Sequence, residues 1–245
     1  FVSGRGGLVL NNKIEPDNLE RIINSIKNIK EADLIITTGG ASVGERDFIK
    51  TALKELNVKI FFEKVLIKPG KPMIFGMYNN TPIFSLPGNP VSALVCALIF
   101  VSIALDKLSG LPGLNPPLSQ AILLKEISDN GPRETYLRAK LEVDKNSKIL
   151  IKPFENQDSN MILNFANANA LIVRKPYAKS SKKGDLVKFI SLWQSYLVGL
   201  WIKNQNTWPE MRTKVEQNNV NLYYWRENAY KQAIWITHLY WWNSR

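Results

Sequence analysis

DLIITTGGASVGERD, at residues 33–47, is the segment from which the fold can be inferred. A short β-branched run leads into a glycine-rich turn, and apolar residues at helical spacing follow from about Arg46. Those apolar residues are Phe48, Ile49, Leu53 and Leu56. A strand, a glycine-rich turn and a helix in this order are typical of a doubly wound α/β sheet. We therefore predict an α/β domain around this segment.

The flanking residues extend the α/β pattern in both directions. Apolar residues at helical spacing over residues 17–30 predict a preceding helix, with Asp17 as its N-cap. Downstream, the pattern predicts short strands at residues 59–67, 73–77 and 82–86. A long apolar helix is predicted over residues 91–105. Asn89 as its N-cap and Pro90 at its first position fit the start of that helix.

A stretch rich in Gly and Pro, GLPGLNPP at residues 110–117, marks a domain boundary. Beyond it, short β-branched runs separated by turn residues predict a small all-β barrel or sandwich. These runs lie at residues 121–127, 134–143, 149–151, 170–173 and 186–190. We therefore predict an α/β domain at residues 1–112, incomplete at its start, and a β-barrel domain at residues 113–192.

The last part of the chain, residues 193–245, differs in composition from the rest. All seven Trp and the only His, His238, lie there. This Trp-rich tail has no assigned fold, and two alternatives are open. It is either a fused or frame-altered stretch without selected function, or a set of amphipathic helices whose Trp and Tyr anchor a partner or a membrane surface.

The amino-acid composition limits the cellular locations and the binding partners that can be expected for this chain. The net charge of +11 favours anionic ligands, but the basic residues are dispersed, so nucleic acid is not a predicted partner. The single cysteine, Cys96, excludes an internal disulfide and fits a reducing, cytoplasmic location. Within its apolar run it is predicted to be a small buried residue. That run is about 15 residues long, short of the roughly 20 that span a bilayer, so no membrane span is predicted.

The first candidate site is the glycine-rich turn after residue 37. Glycines let backbone amides approach an anion, and the following helix adds its positive end. The candidate ligand-binding residues are Thr38, Gly39, Gly40, Ser42 and Gly44. Asp47 is a candidate Mg²⁺ ligand, because this cation prefers carboxylates together with substrate phosphate. The alternatives are a tight strand-to-helix turn without a ligand, and a solvated acid at a helix start.

Two further turns are receptive to anions. KPGKP, at residues 68–72, holds two lysines in a stiff turn, although solvated surface lysines are the commoner case. LPGNPVS, at residues 86–92, opens a helix with free amides and a hydroxyl. The candidate residues in these turns are Lys68, Lys71, Pro72, Pro87, Gly88, Asn89, Pro90 and Ser92. With no His outside the tail and no Cys/His cluster in the sequence, any catalysis must rest on positioning, charge and a carboxylate-bound Mg²⁺.

Taken together, these segments resemble the molybdopterin molybdenumtransferase family, which includes MoeA and the matching domain of gephyrin. The order and spacing of the three turns agree with that family, and the β part continues the likeness with RETYLRA at residues 133–139, Asp158-Ser159 and ANALIV at residues 168–173. The resemblance covers roughly residues 14 to 190. It implies a doubly wound, molybdopterin-binding-type α/β domain followed by a small β-barrel domain.

The resemblance implies an activity and a set of site residues. Such enzymes transfer molybdenum from molybdate into adenylylated molybdopterin with release of AMP, assisted by Mg²⁺, and act as homodimers. Asp47, Lys68 and Lys71 would be catalytic, and Asp47 and Asp17 would be metal ligands. Substrate would be bound by the remaining residues of the three turns, with Arg138 and Ser159 from the β domain.

The sequence also departs from this family. Members begin the α/β domain with a strand and a helix that have no counterpart here, and they carry two further domains before it. We therefore expect a chain that is truncated at its front and that lacks activity if those domains are essential. Two alternatives remain open: a non-catalytic scaffold or binding protein that retains the fold, and the related molybdopterin adenylyltransferase.

Overall fold

Two β-sheets organise the chain. The computed structural model describes residues 1–39, 48–158 and 167–192, and the Trp-rich tail, residues 193–245, lies outside this range. Residues 1–192 form one compact unit. The strands of the first sheet are β1 (Ile35–Thr38), β2 (Lys59–Phe62), β4 (Ile74–Tyr78) and β5 (Thr81–Leu86). This sheet is mixed and has the order β1-β5-β4-β2.

Helices cover both faces of this sheet, as expected for a doubly wound α/β domain. Successive residues of each strand point to opposite faces. Ile35 and Ile83 therefore join one core cluster with α1 (Leu19–Lys27) and α2 (Phe48–Glu55). Ile36, Phe75 and Phe84 join the other core cluster, with the long apolar helix. The neighbours β1 and β5 are parallel, whereas β4 pairs antiparallel with both β5 and β2.

The long apolar helix confirms the helix predicted at residues 91–105. It begins with α3 (Pro90–Cys96), passes through a π-helical segment (Ala97–Val101) and ends with α4 (Ser102–Leu108). At 19 residues it meets the length and composition criteria of a membrane span, but half of it is buried inside the protein. Core helices of globular domains meet the same criteria. The buried positions include Val91, Val95 and Val101.

Two local predictions were wrong. The N-cap of α1 is Asn18, not Asp17, and its side chain accepts a hydrogen bond from the Arg21 amide at 3.0 Å. Both residue types suit an N-cap, so a shift of one position is not resolved by pattern alone. The strand predicted over residues 59–67 is two strands, because the chain leaves the first sheet after Phe62 and enters the second as β3 (Ile67–Lys68).

The second sheet confirms the predicted β-barrel. Its further strands are β6 (Ser119–Leu123), β7 (Glu134–Val143), β8 (Ile149–Pro153), β9 (Ala170–Arg174) and β10 (Leu186–Ser191). These five strands close on themselves in the order β6-β8-β7-β9-β10 and back to β6, and β3 adds to β7. Because β3 belongs to the first part of the chain, the barrel sheet draws on both predicted domains. The boundaries near residues 112 and 192 stay predictions.

Candidate functional site

The glycine-rich turn and the Pro-Gly-Asn-Pro turn lie against each other. In the parallel pair of β1 and β5, Thr38 stands opposite Leu86, so both strands end at the same edge of the sheet. The Gly39 amide donates to the Leu86 carbonyl at 3.2 Å. At Gly88, a Cβ atom would come within 3.2 Å of the Gly39 Cα. The absence of a side chain at Gly88 is thus what allows the two turns to approach.

The Pro-Gly-Asn-Pro turn caps the long helix as predicted. The Asn89 side chain accepts hydrogen bonds from the Ser92 amide at 3.1 Å and from the Ser92 hydroxyl at 3.3 Å. Pro90 occupies the first turn of the helix and is exposed, whereas Pro87 and Ser92 are buried. The helix N-terminus, whose partial positive charge favours anions, therefore lies next to Gly39.

The lysine turn contacts the same helix at the last residue of α3. The carbonyl of Gly70 accepts a hydrogen bond from the Cys96 thiol at 3.4 Å. Cys96 is the last residue of α3, six positions after Pro90, which places this contact about 9 Å along the helix from its start. Lys68 and Lys71 flank Gly70, are exposed, and form no ion pair with a residue that the structure describes. The two lysines are thus anchored to the helix whose start is receptive to anions.

Cys96 itself is a buried residue, as predicted. It is fully buried, and burial raises the pKa of its thiol to about 12. Its sulfur fills the space in which a side chain at residue 70 would lie. The sequence did not indicate this contact, because the two residues are 26 positions apart. A thiol held in this way acts as a packing group and a weak donor rather than as a nucleophile.

Arg138 lies on β7, the strand that pairs with β3 where the lysine turn begins. Strand β3 runs parallel to β7, with Lys68 opposite Thr135. Arg138 follows Thr135 by three residues, about 10 Å along β7. Arg138 is 2% exposed, and burial lowers the pKa of the guanidinium while the charge of Asp158 opposes that shift. Its role as a substrate ligand stays a prediction.

Two buried hydroxyl groups near the strand ends lack a partner among the described residues. The hydroxyl oxygens of Thr37 and Ser85 are buried, and neither forms a hydrogen bond with any residue in the described part of the chain. These residues stand opposite each other on β1 and β5, one position before the strands end. Buried polar atoms without partners are uncommon and often mark a place where a ligand or water binds. Neither hydroxyl was among the predicted site residues.

The remaining predicted residues divide into two groups. Gly40, Ser42, Gly44, Asp47 and Ser159 lie outside the described residues. Asp17 is exposed shortly before α1, and Pro72 is half-buried at the end of the lysine turn. Within the described ranges no three Asp, Glu, His or Cys side chains come together to form a metal site from protein ligands alone. The two predicted metal ligands therefore stay predictions.

Comparison with known proteins identifies two related domains in the chain. A probable molybdopterin binding domain matches residues 1–107, and the MoeA C-terminal region (domain IV) matches residues 120–192. A molybdopterin molybdenumtransferase of Staphylococcus epidermidis is 31% identical over 179 residues, which are 73% of this chain and 42% of that protein. Gephyrin of Dictyostelium discoideum is 34% identical over 72% of this chain and 28% of its own length.

A solved structure shows the same likeness. The MoeA protein of Pyrococcus horikosii has a TM-score of 0.59 and 26% identity, over 71% of this chain and 41% of that protein. The chain thus spans less than half the length of these relatives. The two matched domains lie in the same order as the α/β layer and the barrel described above. From its two domains and its relatives, the chain belongs to the MoeA family.

Proposed function

We propose that this chain functions in molybdenum cofactor biosynthesis, as the part of a molybdenumtransferase that binds molybdate and adenylylated molybdopterin. The reaction would insert molybdenum into the pterin and release AMP. The observation that supports this proposal is the meeting of the glycine-rich turn and the Pro-Gly-Asn-Pro turn at one helix start, with the lysine turn packed on the same helix. Both substrates are anionic, and this arrangement offers amides, hydroxyls and two cations.

The residues of this site would act by binding and orientation. The start of α3 suits a phosphate, since the start of a helix carries partial positive charge. Lys68 and Lys71 would attract the molybdate oxyanion and oppose its negative charge as it approaches the pterin. The Thr37 and Ser85 hydroxyls would supply further donors at the strand ends. A site that holds both reactants in the correct orientation removes much of the entropic cost of bringing them together. This is the main contribution that such a site makes to the reaction rate.

Mg²⁺ belongs to this proposal as an assisting ion. It binds through one or two carboxylates together with substrate phosphate, and it does not need a cluster of three protein ligands. Asp17, the described candidate, is exposed and therefore open to such a role, and Asp47 is the second candidate. Bound Mg²⁺ would neutralise phosphate charge. A homodimer and a cytoplasmic location complete the proposal.

The test is release of AMP from adenylylated molybdopterin in the presence of molybdate. We expect Lys71→Ala to raise the KM for molybdate by about tenfold, because it removes a charged donor worth about 1.5 kcal/mol or more. Lys145→Ala is the matched control, because Lys145 is an equally exposed lysine in the β7–β8 turn. Equal KM values for both variants would contradict the assignment of the lysine turn.

The alternatives give different results in the same assay. Adenylylation of free molybdopterin by ATP, without molybdate-dependent AMP release, would favour the adenylyltransferase. A folded chain that neither adenylylates pterin nor releases AMP would favour the non-catalytic scaffold.

A further inference from the structure

Gln157 holds the backbone of β7 in the way that a neighbouring strand would. Its Oε1 accepts a hydrogen bond from the Arg138 amide at 2.9 Å, and its Nε2 donates to the Arg138 carbonyl at 2.9 Å. The same Nε2 donates to the Phe154 carbonyl at 2.8 Å. A single side-chain amide therefore connects β7 with the segment that leaves β8.

The same segment also fixes the Arg138 guanidinium. Arg138 Nε donates to Gln157 Oε1 at 3.4 Å, and Arg138 Nη1 donates to the Asp158 carbonyl at 2.9 Å. Because Arg138 is almost fully buried, the orientation of its guanidinium is set by these contacts and not by solvent. Gln157 is thus bonded both to the backbone and to the charged side chain of Arg138.

We propose that Gln157 is a positioning residue for the oxyanion-binding part of the site, an inference that rests on the proposed function. Gln157 sets the direction of the Arg138 charge, and Arg138 is a predicted substrate ligand. A residue that orients a ligand changes the affinity for the substrate more than it changes the chemical step.

The chain contains a matched control for this role. The Asn169 side chain makes the same pair of bonds with Leu141 on β7: its Oδ1 accepts from the Leu141 amide at 2.6 Å, and its Nδ2 donates to the Leu141 carbonyl at 3.0 Å. Neither of these two bonds involves a guanidinium. Loss of the amide at Asn169 therefore tests the loss of a backbone clamp alone.

The experiment compares Gln157→Glu with Asn169→Asp in the full chain. Each substitution replaces an amide donor by a carboxylate that faces backbone carbonyls, so both variants should be less stable than the wild type in thermal unfolding. In Gln157→Glu the new carboxylate also draws the guanidinium into an ion pair. We expect its KM for molybdate in AMP release to rise about tenfold, with kcat reduced less than about threefold, whereas Asn169→Asp keeps the wild-type KM.

Each result decides the question. If Gln157→Glu keeps the wild-type KM, or if Asn169→Asp raises the KM equally, Gln157 is a structural residue only and the proposal fails. If Gln157→Glu does not fold, Gln157→Met, which loses the amide without adding charge, must raise the KM at least about threefold. A wild-type chain that releases no AMP overturns the proposed function itself, which is a distinct outcome from an active wild type with an unaffected variant.

Discussion

Gly70 is the residue on which the geometry of the lysine turn depends. Its φ is +120°, and a Cβ atom there would lie 2.6 Å from the Cys96 sulfur and 2.9 Å from Ile67 Cδ1. Both neighbours are buried in the core cluster, so neither can move freely. We expect Gly70→Ala to lower the free energy of unfolding by about 3 kcal/mol, as strain from the backbone and from overpacking adds. Urea unfolding measures this loss.

A substitution at Gly184 distinguishes backbone strain from overpacking as the cause of that loss of stability. Its φ is +98°, and a Cβ atom added there would meet no atom within 4 Å. Gly184→Ala should therefore cost only the backbone strain, about 1 kcal/mol. Cys96→Ala combined with Gly70→Ala should recover part of the packing cost, because it clears the closer of the two contacts. A Gly70→Ala variant no less stable than Gly184→Ala would show that the turn is not wedged against the helix.

The sequence indicated single residues only where their role is local. The lysines and Asn89 were predicted because their chemistry follows from neighbours in the chain. The contacts of Gly70 with Cys96 and of Gln157 with Arg138 join residues 26 and 19 positions apart. Such contacts depend on the register of strands and the placement of helices, which a local pattern does not specify.

Among the features of the secondary-structure elements, the helix N-caps can be tested most directly. Asn18 and Asn89 both accept a hydrogen bond from the amide three residues later, at 3.0 and 3.1 Å. Replacement of either by Ala should cost about 1 kcal/mol of stability. Only Asn89→Ala should also weaken molybdate-dependent AMP release, because α3 begins beside Gly39. Thermal unfolding together with the KM for adenylylated molybdopterin distinguishes the two caps, and equal kinetic effects would remove α3 from the site.

Helices and strands were predicted well where a clear hydrophobic periodicity extended over many residues. The long apolar helix, the pair of strands around residues 78–81 and the barrel strands were confirmed to within a few residues. The prediction of a single strand at residues 59–67 was wrong. An extended pattern indicates that a segment forms a strand, but it does not indicate which sheet the strand joins. The change of sheet between Phe62 and Ile67 is a property of the tertiary structure.

At the scale of the whole molecule, the two sheets share one core. Tyr136, Leu171 and Ile190 of the barrel join the core cluster that contains Cys96 and the long helix. Strand β3 adds to the barrel sheet, although it precedes β4 of the first sheet by only a few residues. The turn that begins at the end of β3 carries Lys68 and Lys71, so the position of these lysines is set by both sheets at once.

The Cys96 thiol provides a test of this shared core. It is the only cysteine of the chain. In the folded protein it is fully buried, and a pKa raised to about 12 leaves little thiolate in mildly alkaline buffer. A chain ending at residue 112 loses the barrel residues of the shared cluster. We therefore expect its thiol to react with a disulfide reagent at least about tenfold faster than that of the full chain, because the helix loses one side of its packing.

The full chain in concentrated urea sets the rate for a fully exposed thiol. If the piece ending at residue 112 protected Cys96 as well as the full chain does, its α/β layer would fold without the barrel. The predicted boundary near residue 112 would then divide two independent domains, and the lysine turn would keep its geometry without β7. Fast labelling of the shorter piece instead means that the barrel is required to hold the turn, since the same cluster contains Ile67 at its base.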